Sequence, residues 1–119
     1  MKNIDIYTIA KALNETFADN TQYLPVKINF FIQKNKVTLL KLAQEIEDAR
    51  IKILTAYGES REDGSIFIPE EKIDAVNKEL EDLLSIDQEV NIAKIDIEAF
   101  PEDINLTTGQ MESILFMIN

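Results

Sequence analysis

The residues that come nearest to a chemical motif lie in the twelve-residue stretch 59–70. Read as a calcium-binding EF-hand loop, this stretch matches positions 5, 6, 8 and 12 with Asp63, Gly64, Ile66 and Glu70. The third position, which should supply a ligand oxygen, is instead the cation Arg61. We therefore interpret the stretch as an Asp-Gly turn beside a short strand and predict no metal site there.

A second set of carboxylates follows two predicted helices, and paired carboxylates are the groups that glycosidases and two-metal nucleases use. The set consists of Glu45, Asp48, Asp74, Glu81 and Asp82, with Lys78 among them. These residues alternate with apolar positions, and no catalytic motif surrounds any of them. We interpret them as a solvated face. The isolated Gly58 and Gly64 likewise form no phosphate-binding loop.

Two missing residue types narrow the chemistry further. The 119 residues include no His and no Cys, so the sequence lacks the commonest general base and any thiol nucleophile. Ser-His-Asp and Cys-His catalysis, disulfide bonds and ordinary zinc sites are thereby excluded. We predict a protein that is not an enzyme and that uses no cofactor.

A row of lysines is the first candidate for a binding surface. Lys27, Lys34 and Lys41 are seven residues apart and fall on one face of a predicted helix. Two interpretations stay open. The lysines either form a solvent-exposed face or dock an acidic partner, which would be another copy's carboxyl half, a different protein or a small anionic ligand.

The aromatic residues are the second candidate. Phe30 and Phe31 lie between Lys27 and Lys34 on the same helix, and Phe116 lies in an apolar segment near the end of the chain. Most of this apolar excess is predicted to be core, and the remainder an oligomer interface. The predicted partner-binding residues are thus Lys27, Lys34, Lys41, Phe30, Phe31 and Phe116.

Charge is unevenly spread along the chain. Residues 1–44 carry a net charge of +3 and residues 45–119 a net charge of −13, which gives −10 in total. Three interpretations stay open: a solvated acidic surface, pairing of one molecule's basic end with a neighbour's acidic end, and mimicry of nucleic acid. Direct binding to nucleic acid is not expected, because most of the chain would repel phosphate.

The strongest structural signal is a long helix over residues 26–57, which contain neither Pro nor Gly. Its apolar seam repeats every seven residues, at Ile32, Leu39, Ile46 and Ile53. Gly58 follows as a C-cap glycine. Such a helix is about 48 Å long, so part of it should pack on another molecule. Asn35 interrupts the seam, either as a tolerated polar residue or as one that sets register in a helical assembly.

Three further helices are predicted around the long one. The first covers residues 4–17, where apolar residues recur at helical spacing. The next begins at Pro69 and should fold back on the long helix as a hairpin. Thr107 and Gln110 have the spacing of a capping box, which predicts that a terminal helix starts there.

A change of period predicts the remaining element. Apolar and polar residues alternate over 89–97, which favours a strand whose partner is the short run 66–68. The predicted fold is therefore one α+β domain over residues 1–119. It is mostly α, with a long-helix hairpin, a small two-stranded antiparallel ribbon and a terminal helix.

The predicted location is cytoplasmic, with no membrane partner. The amino terminus lacks the apolar segment of a signal peptide, and no apolar run reaches the roughly 18 residues of a membrane span.

The order of motifs resembles that of a group of small proteins encoded by tailed bacteriophages and prophages. The motifs that carry this resemblance include a Tyr-Gly-Glu helix end, an Asp-Gly turn, an acidic helix that begins with Pro and a Val-x-Ile-x-x-Ile stretch. The resemblance extends over residues 49–64, 79–97 and 106–118, and it implies a phage or prophage origin and a non-enzymatic role.

We therefore predict an interaction or assembly accessory protein that self-associates and that contacts a phage or host protein. The alternative is an inhibitor of a host defence system. It would act by acidic mimicry or by sequestering an anionic ligand between protomers.

Overall fold

The computed structural model describes residues 1–18 and 23–119. The described residues form a mostly helical α+β structure, as predicted, with dimensions of 56 × 30 × 20 Å. The elements are α1 (Asn3–Thr16), α2 (Val26–Tyr57), β1 (Glu59–Ser60), β2 (Ile66–Phe67), α3 (Ile73–Ser85) and α4 (Thr108–Ser113). Short 3₁₀ turns lie at Glu70–Lys72, Ile97–Ala99 and Leu115–Met117.

Helix α2 is the axis of the molecule, and its bounds agree with the predicted 26–57. Its buried side lies against three different parts of the chain. The carboxyl end of α1 meets the first half of α2, where Lys36 Nζ donates to the Phe17 carbonyl oxygen. Helix α3 folds back along the last turns of α2, which confirms the predicted hairpin. The residues 93–95 and 117 cover its first half, near Asn35.

The core is built from one apolar stripe of each covering element. Helix α1 contributes Ile6, Ala10 and Leu13, and α2 contributes Ile28, Ile32, Leu39 and Ile46. The carboxyl-terminal part adds Ile95, Ile114 and Met117. Each apolar side chain that becomes fully buried in this way stabilises the fold by about 1.5–3 kcal/mol.

The two-stranded antiparallel ribbon is present, but the prediction that residues 89–97 form one of its strands is wrong. Ile66 pairs with Ser60, and Phe67 pairs with Glu59, so the ribbon is a local hairpin. Gly64, at φ 84°, and the Asp63 carboxylate, which accepts from the Ser65 N–H, form its turn. The loop between β1 and β2 is short, so closing it costs little chain entropy. Pairing β2 with residues 89–97 would require a longer loop to close, which costs more chain entropy.

Residues 89–96 carry no regular strand, and a 3₁₀ turn begins at Ile97. Ile95 forms an isolated parallel bridge with Ile118, and the Ile95 N–H donates to the Met117 carbonyl oxygen at 2.8 Å. The Asn119 N–H donates to the Ile95 carbonyl oxygen at 2.9 Å. The apolar alternation therefore reflects contact with the core and with the end of the chain rather than with the ribbon.

The predicted capping box starts α4. Thr107 Oγ1 accepts from the Gln110 N–H at 3.1 Å, and Gln110 Oε1 accepts from the Thr107 N–H at 3.0 Å. The terminal helix is shorter than its apolar stripe suggested. It ends at Ser113, and a 3₁₀ turn follows. Beyond that turn Ile118 has an extended backbone and pairs with Ile95, so the helix does not continue to the last residues.

Gly58 ends α2, but space rather than a left-handed backbone requires a glycine there, since its φ is −107°. A Cβ at this position would lie 2.5 Å from Ile66 Cγ2 and 2.8 Å from the Leu54 carbonyl oxygen. The hairpin of β1 and β2 therefore packs directly on the end of α2.

Replacing Gly58 by Ala should lower the free energy of unfolding by about 1–3 kcal/mol, because the ribbon must move to admit the new methyl group. Urea unfolding followed by circular dichroism measures the change. Gly109→Ala is the matched control. Its Cβ would meet only Thr16 Cγ2, at 3.9 Å, and Ala favours the α4 helix. Equal stability of the Gly58 variant and the wild type would contradict the steric argument.

Candidate functional site

The side of α2 that points away from the core carries exposed apolar residues. Val26, Phe30 and Val37 are 80%, 61% and 67% exposed. Their spacing of four and seven residues places them on one helix side, opposite the buried seam of Ile28, Ile32 and Leu39. We call these three residues the outer face. Scattered exposed apolar side chains are common, but three aligned on one helix side are typical of a contact surface.

The predicted lysines flank this outer face. Lys27, Lys34 and Lys41 are all exposed, and none forms an ion pair within the described residues. On a helix they lie beside Val26, Phe30 and Val37, along one edge of the apolar row. We call the three lysines the basic stripe. An apolar row with a cationic edge suits a partner surface that is apolar in the middle and acidic at one side.

The three phenylalanines that were predicted to bind a partner do not lie on one surface. Phe30 belongs to the outer face, and Phe31 stands beside it, half-buried, with the two rings edge to face and their centroids 5.8 Å apart. Phe116 is also half-buried and packs against the core, and its carbonyl oxygen accepts from Lys94 Nζ at 2.6 Å. Val26 and Val37 were missed by the sequence analysis, although their spacing from Phe30 placed them on the same helix side.

Acidic residues on α3 form a second exposed charged surface. Its members are Asp74, Glu79, Glu81 and Asp82, and we call them the acidic face. The ion pairs among the described residues join Arg50 to Glu47 and the amino terminus to Asp87, so they leave the acidic face without a cationic partner. Within residues 1–18 and 23–119, the basic stripe and the acidic face thus both lack an ion pair.

A pocket of about 330 Å³ opens where α1, α2 and α3 meet. We call it the junction pocket. Its apolar lining comes from Ile4, Tyr7, Ile46, Leu80, Leu83 and Leu84. Glu47 and Arg50 complete the lining and neutralise each other, with Arg50 Nε 2.9 Å from Glu47 Oε2 and Arg50 Nη2 2.6 Å from Glu47 Oε1. Such a pocket favours an apolar group without net charge.

The two hydrogen bonds from Arg50 hold the pKa of Glu47 below its usual value. Since the folded-state pKa is the lower one, this pair stabilises the fold at neutral pH. The contribution is lost as the pH falls through the lowered pKa of Glu47.

Replacing Arg50 by Met should move the pKa of Glu47 upward, because the carboxylate loses both donors and a nearby positive charge. An NMR titration that follows the Glu47 side-chain carboxyl carbon measures the shift. Arg61→Met is the matched control, since Arg61 lies over the Phe67 ring and does not contact Glu47. An unchanged Glu47 titration in the Arg50 variant would contradict this assignment.

The stretch 59–70 is a hairpin in which the Asp63 carboxylate accepts from both the N–H and the hydroxyl of Ser65. These hydrogen bonds lower the pKa of Asp63. Throughout residues 1–18 and 23–119, no three carboxylates lie close enough together to hold a metal ion. Within the same residues, no helix is both long and apolar enough to cross a membrane.

Comparison of the chain with protein-family models, with curated proteins and with solved structures finds no match. The features of the molecule that bear on function are therefore the outer face, the basic stripe, the acidic face and the junction pocket.

Proposed function

We propose that this chain is a non-enzymatic interaction protein that self-associates through the outer face of α2. The observation that carries this proposal is the row of Val26, Phe30 and Val37, exposed on the helix side opposite the core and edged by the basic stripe. The role is that of an assembly or accessory protein, which the resemblance to phage and prophage proteins implies. It acts in the cytoplasm, that of the host cell if the chain is phage-encoded.

The charges favour a second copy of the same chain as the partner. The basic stripe on α2 and the acidic face on α3 are both exposed, so every copy presents one basic and one acidic surface. Surfaces of opposite charge attract, and they also orient the two molecules as they meet. The apolar outer face supplies the part of the contact that salt does not weaken.

Absolute mass in solution, measured by light scattering on a size-exclusion column at low and high salt, tests the proposal. A mass that is a multiple of 13.6 kDa supports self-association. Loss of the larger mass in high salt would assign the contact to the charges, and its persistence would assign it to the outer face. A monomer at every salt and protein concentration would overturn the proposal.

A second function is favoured by the unneutralised acidic face of α3. An inhibitor of a host defence system would use such carboxylates to imitate nucleic acid, or would hold an anionic ligand between the basic stripes of two protomers. The two functions differ in what the purified protein binds. An inhibitor binds a host nucleic-acid-binding protein or a nucleotide tightly, whereas an assembly protein binds mainly itself or another component of the assembly.

A further inference from the structure

We propose that the junction pocket receives the Phe30 side chain of a second copy, so that the copies join head to tail. This inference depends on the proposed self-association and names the surface that the outer face contacts. The exposed Phe30 side chain and the open junction pocket would then be the two sides of one contact.

The pocket fits a single large apolar side chain. At about 330 Å³ it lies at the lower end of the range of ligand pockets. Its walls are mainly aliphatic, and its ion pair between Glu47 and Arg50 is already complete. A charged group that entered would lose its hydration without gaining a free partner, so the pocket favours an uncharged apolar group.

Phe30 is the side chain best suited to fill it. It is 61% exposed and stands in the middle of the outer face, between Val26 and Val37. Phe67 is also exposed, but the Arg61 guanidinium lies 4.5 Å above its ring and already covers it. Burial of an aromatic ring of this kind contributes strongly at protein interfaces.

The charges around the two halves are complementary. The exposed Glu81 lies three residues before the pocket residue Leu84, on a neighbouring position of the α3 surface, so its carboxylate adjoins the pocket. Lys27 and Lys34 lie three residues before and four residues after Phe30, on the same region of α2. A Phe30 side chain seated in the pocket brings these lysines toward that carboxylate.

One chain cannot make this contact with itself. Phe30 lies on the outer side of α2, whereas Ile46 lines the pocket from the buried side of the same helix. The two residues are also about 24 Å apart along the helix axis, at 1.5 Å for each of the 16 intervening steps. Contact between two different surfaces is heterologous, and such contacts build rings or open filaments rather than a simple two-fold dimer.

Complementation between two variants tests the inference. Phe30→Glu removes the inserting side chain and leaves the pocket intact. Ile4→Arg places a cation at the mouth of the pocket and leaves Phe30 intact; Ile4 is 42% exposed, so the fold should tolerate the change. Each variant alone should run as a 13.6 kDa monomer, and a 1:1 mixture should form a species of two copies, joined by the one intact contact.

Matched controls separate loss of the contact from loss of an exposed apolar residue. Leu115→Glu removes a side chain as exposed as Phe30, and Ile97→Arg adds a cation at an exposed isoleucine away from the pocket. Both controls should associate like the wild type. Thermal unfolding verifies that every variant is folded. If Ile4→Arg unfolds, Tyr7→Arg changes another partly exposed wall of the same pocket.

The outcomes distinguish this inference from the broader proposal. If Phe30→Glu is monomeric but both pocket variants associate like the wild type, the pocket is not the receptor and self-association through the outer face still stands. If the mixture of the two variants stays monomeric, the inference is likewise overturned. If Phe30→Glu associates like the wild type, the inference and the proposed role of the outer face both fail.

Discussion

Replacing Asn35 by Ala should lower the free energy of unfolding by about 2 kcal/mol, because two partly buried main-chain groups lose their hydrogen-bond partner. The side chain of Asn35 is fully buried in α2. Its Nδ2 donates to the Ala93 carbonyl oxygen at 2.9 Å, and its Oδ1 accepts from the Ala93 N–H at 2.9 Å. The amide thus pairs with Ala93 as a neighbouring strand would.

The hydrogen bonds of Asn35 explain how the residues around Ala93, which form no regular strand, lie against a helix. Helix α2 has no free main-chain groups in its middle to offer, since its own hydrogen bonds use them. Asn35 Nδ2 also contacts Met117 Sδ at 3.4 Å, so one side chain touches both covering segments. Without it, the N–H and carbonyl of Ala93 would be partly buried without partners, at about 1 kcal/mol each, the lower end of the cost of an unpaired buried group.

Asn29→Ala is the control for this prediction. Asn29 is exposed on the same helix, and Ala is the better helix former, so the free energy of unfolding should stay constant or rise slightly. Urea unfolding measures both variants. Hydrogen exchange adds a local readout, since the amides of Ala93 and Ile95 should exchange faster in the Asn35 variant. A loss below about 1 kcal/mol would contradict the proposed role of the hydrogen bonds.

The helices were predictable because their signals are local. The long helix needs only an uninterrupted apolar repeat, and the α4 capping box needs only Thr107 and Gln110 at the right spacing. The pairing of residues 89–97 was not predictable. Its partners are the Asn35 side chain and the last residues of the chain, which are distant in sequence and carry no pattern that marks them.

The residues of the candidate site also differ in whether the sequence predicted them. The seven-residue spacing of the lysines predicted a common face, and Phe30 was predicted to bind a partner but was not placed beside that face. Val26 and Val37 were not predicted to bind a partner, because an apolar residue in a helix is expected to be core until the opposite side is known to be buried. The junction pocket depends on how three helices diverge, so its residues from α1, α2 and α3 gave no joint signal.

Changing Lys27, Lys34 and Lys41 together to Glu should abolish self-association and leave the fold intact. The three lysines are exposed and form no ion pair within the described residues, so the fold loses no stabilising contact. The variant reverses the edge of the outer face from three positive charges to three negative ones. The outer face of one copy would then repel the acidic face of the next.

A second triple variant controls for the change in total charge. Lys52, Lys72 and Lys94 are also exposed, and none of them belongs to the outer face, the acidic face or the junction pocket, so their change to Glu alters the net charge by the same amount outside the proposed contact. Light scattering at low salt should find the first variant monomeric and the control associated, because the position of the charges decides the contact. Salt should not rescue the first variant fully, since its carboxylates still need to be desolvated beside the apolar row. Equal masses for the first variant and the wild type would remove the basic stripe from the contact and leave Val26, Phe30 and Val37 to carry it alone.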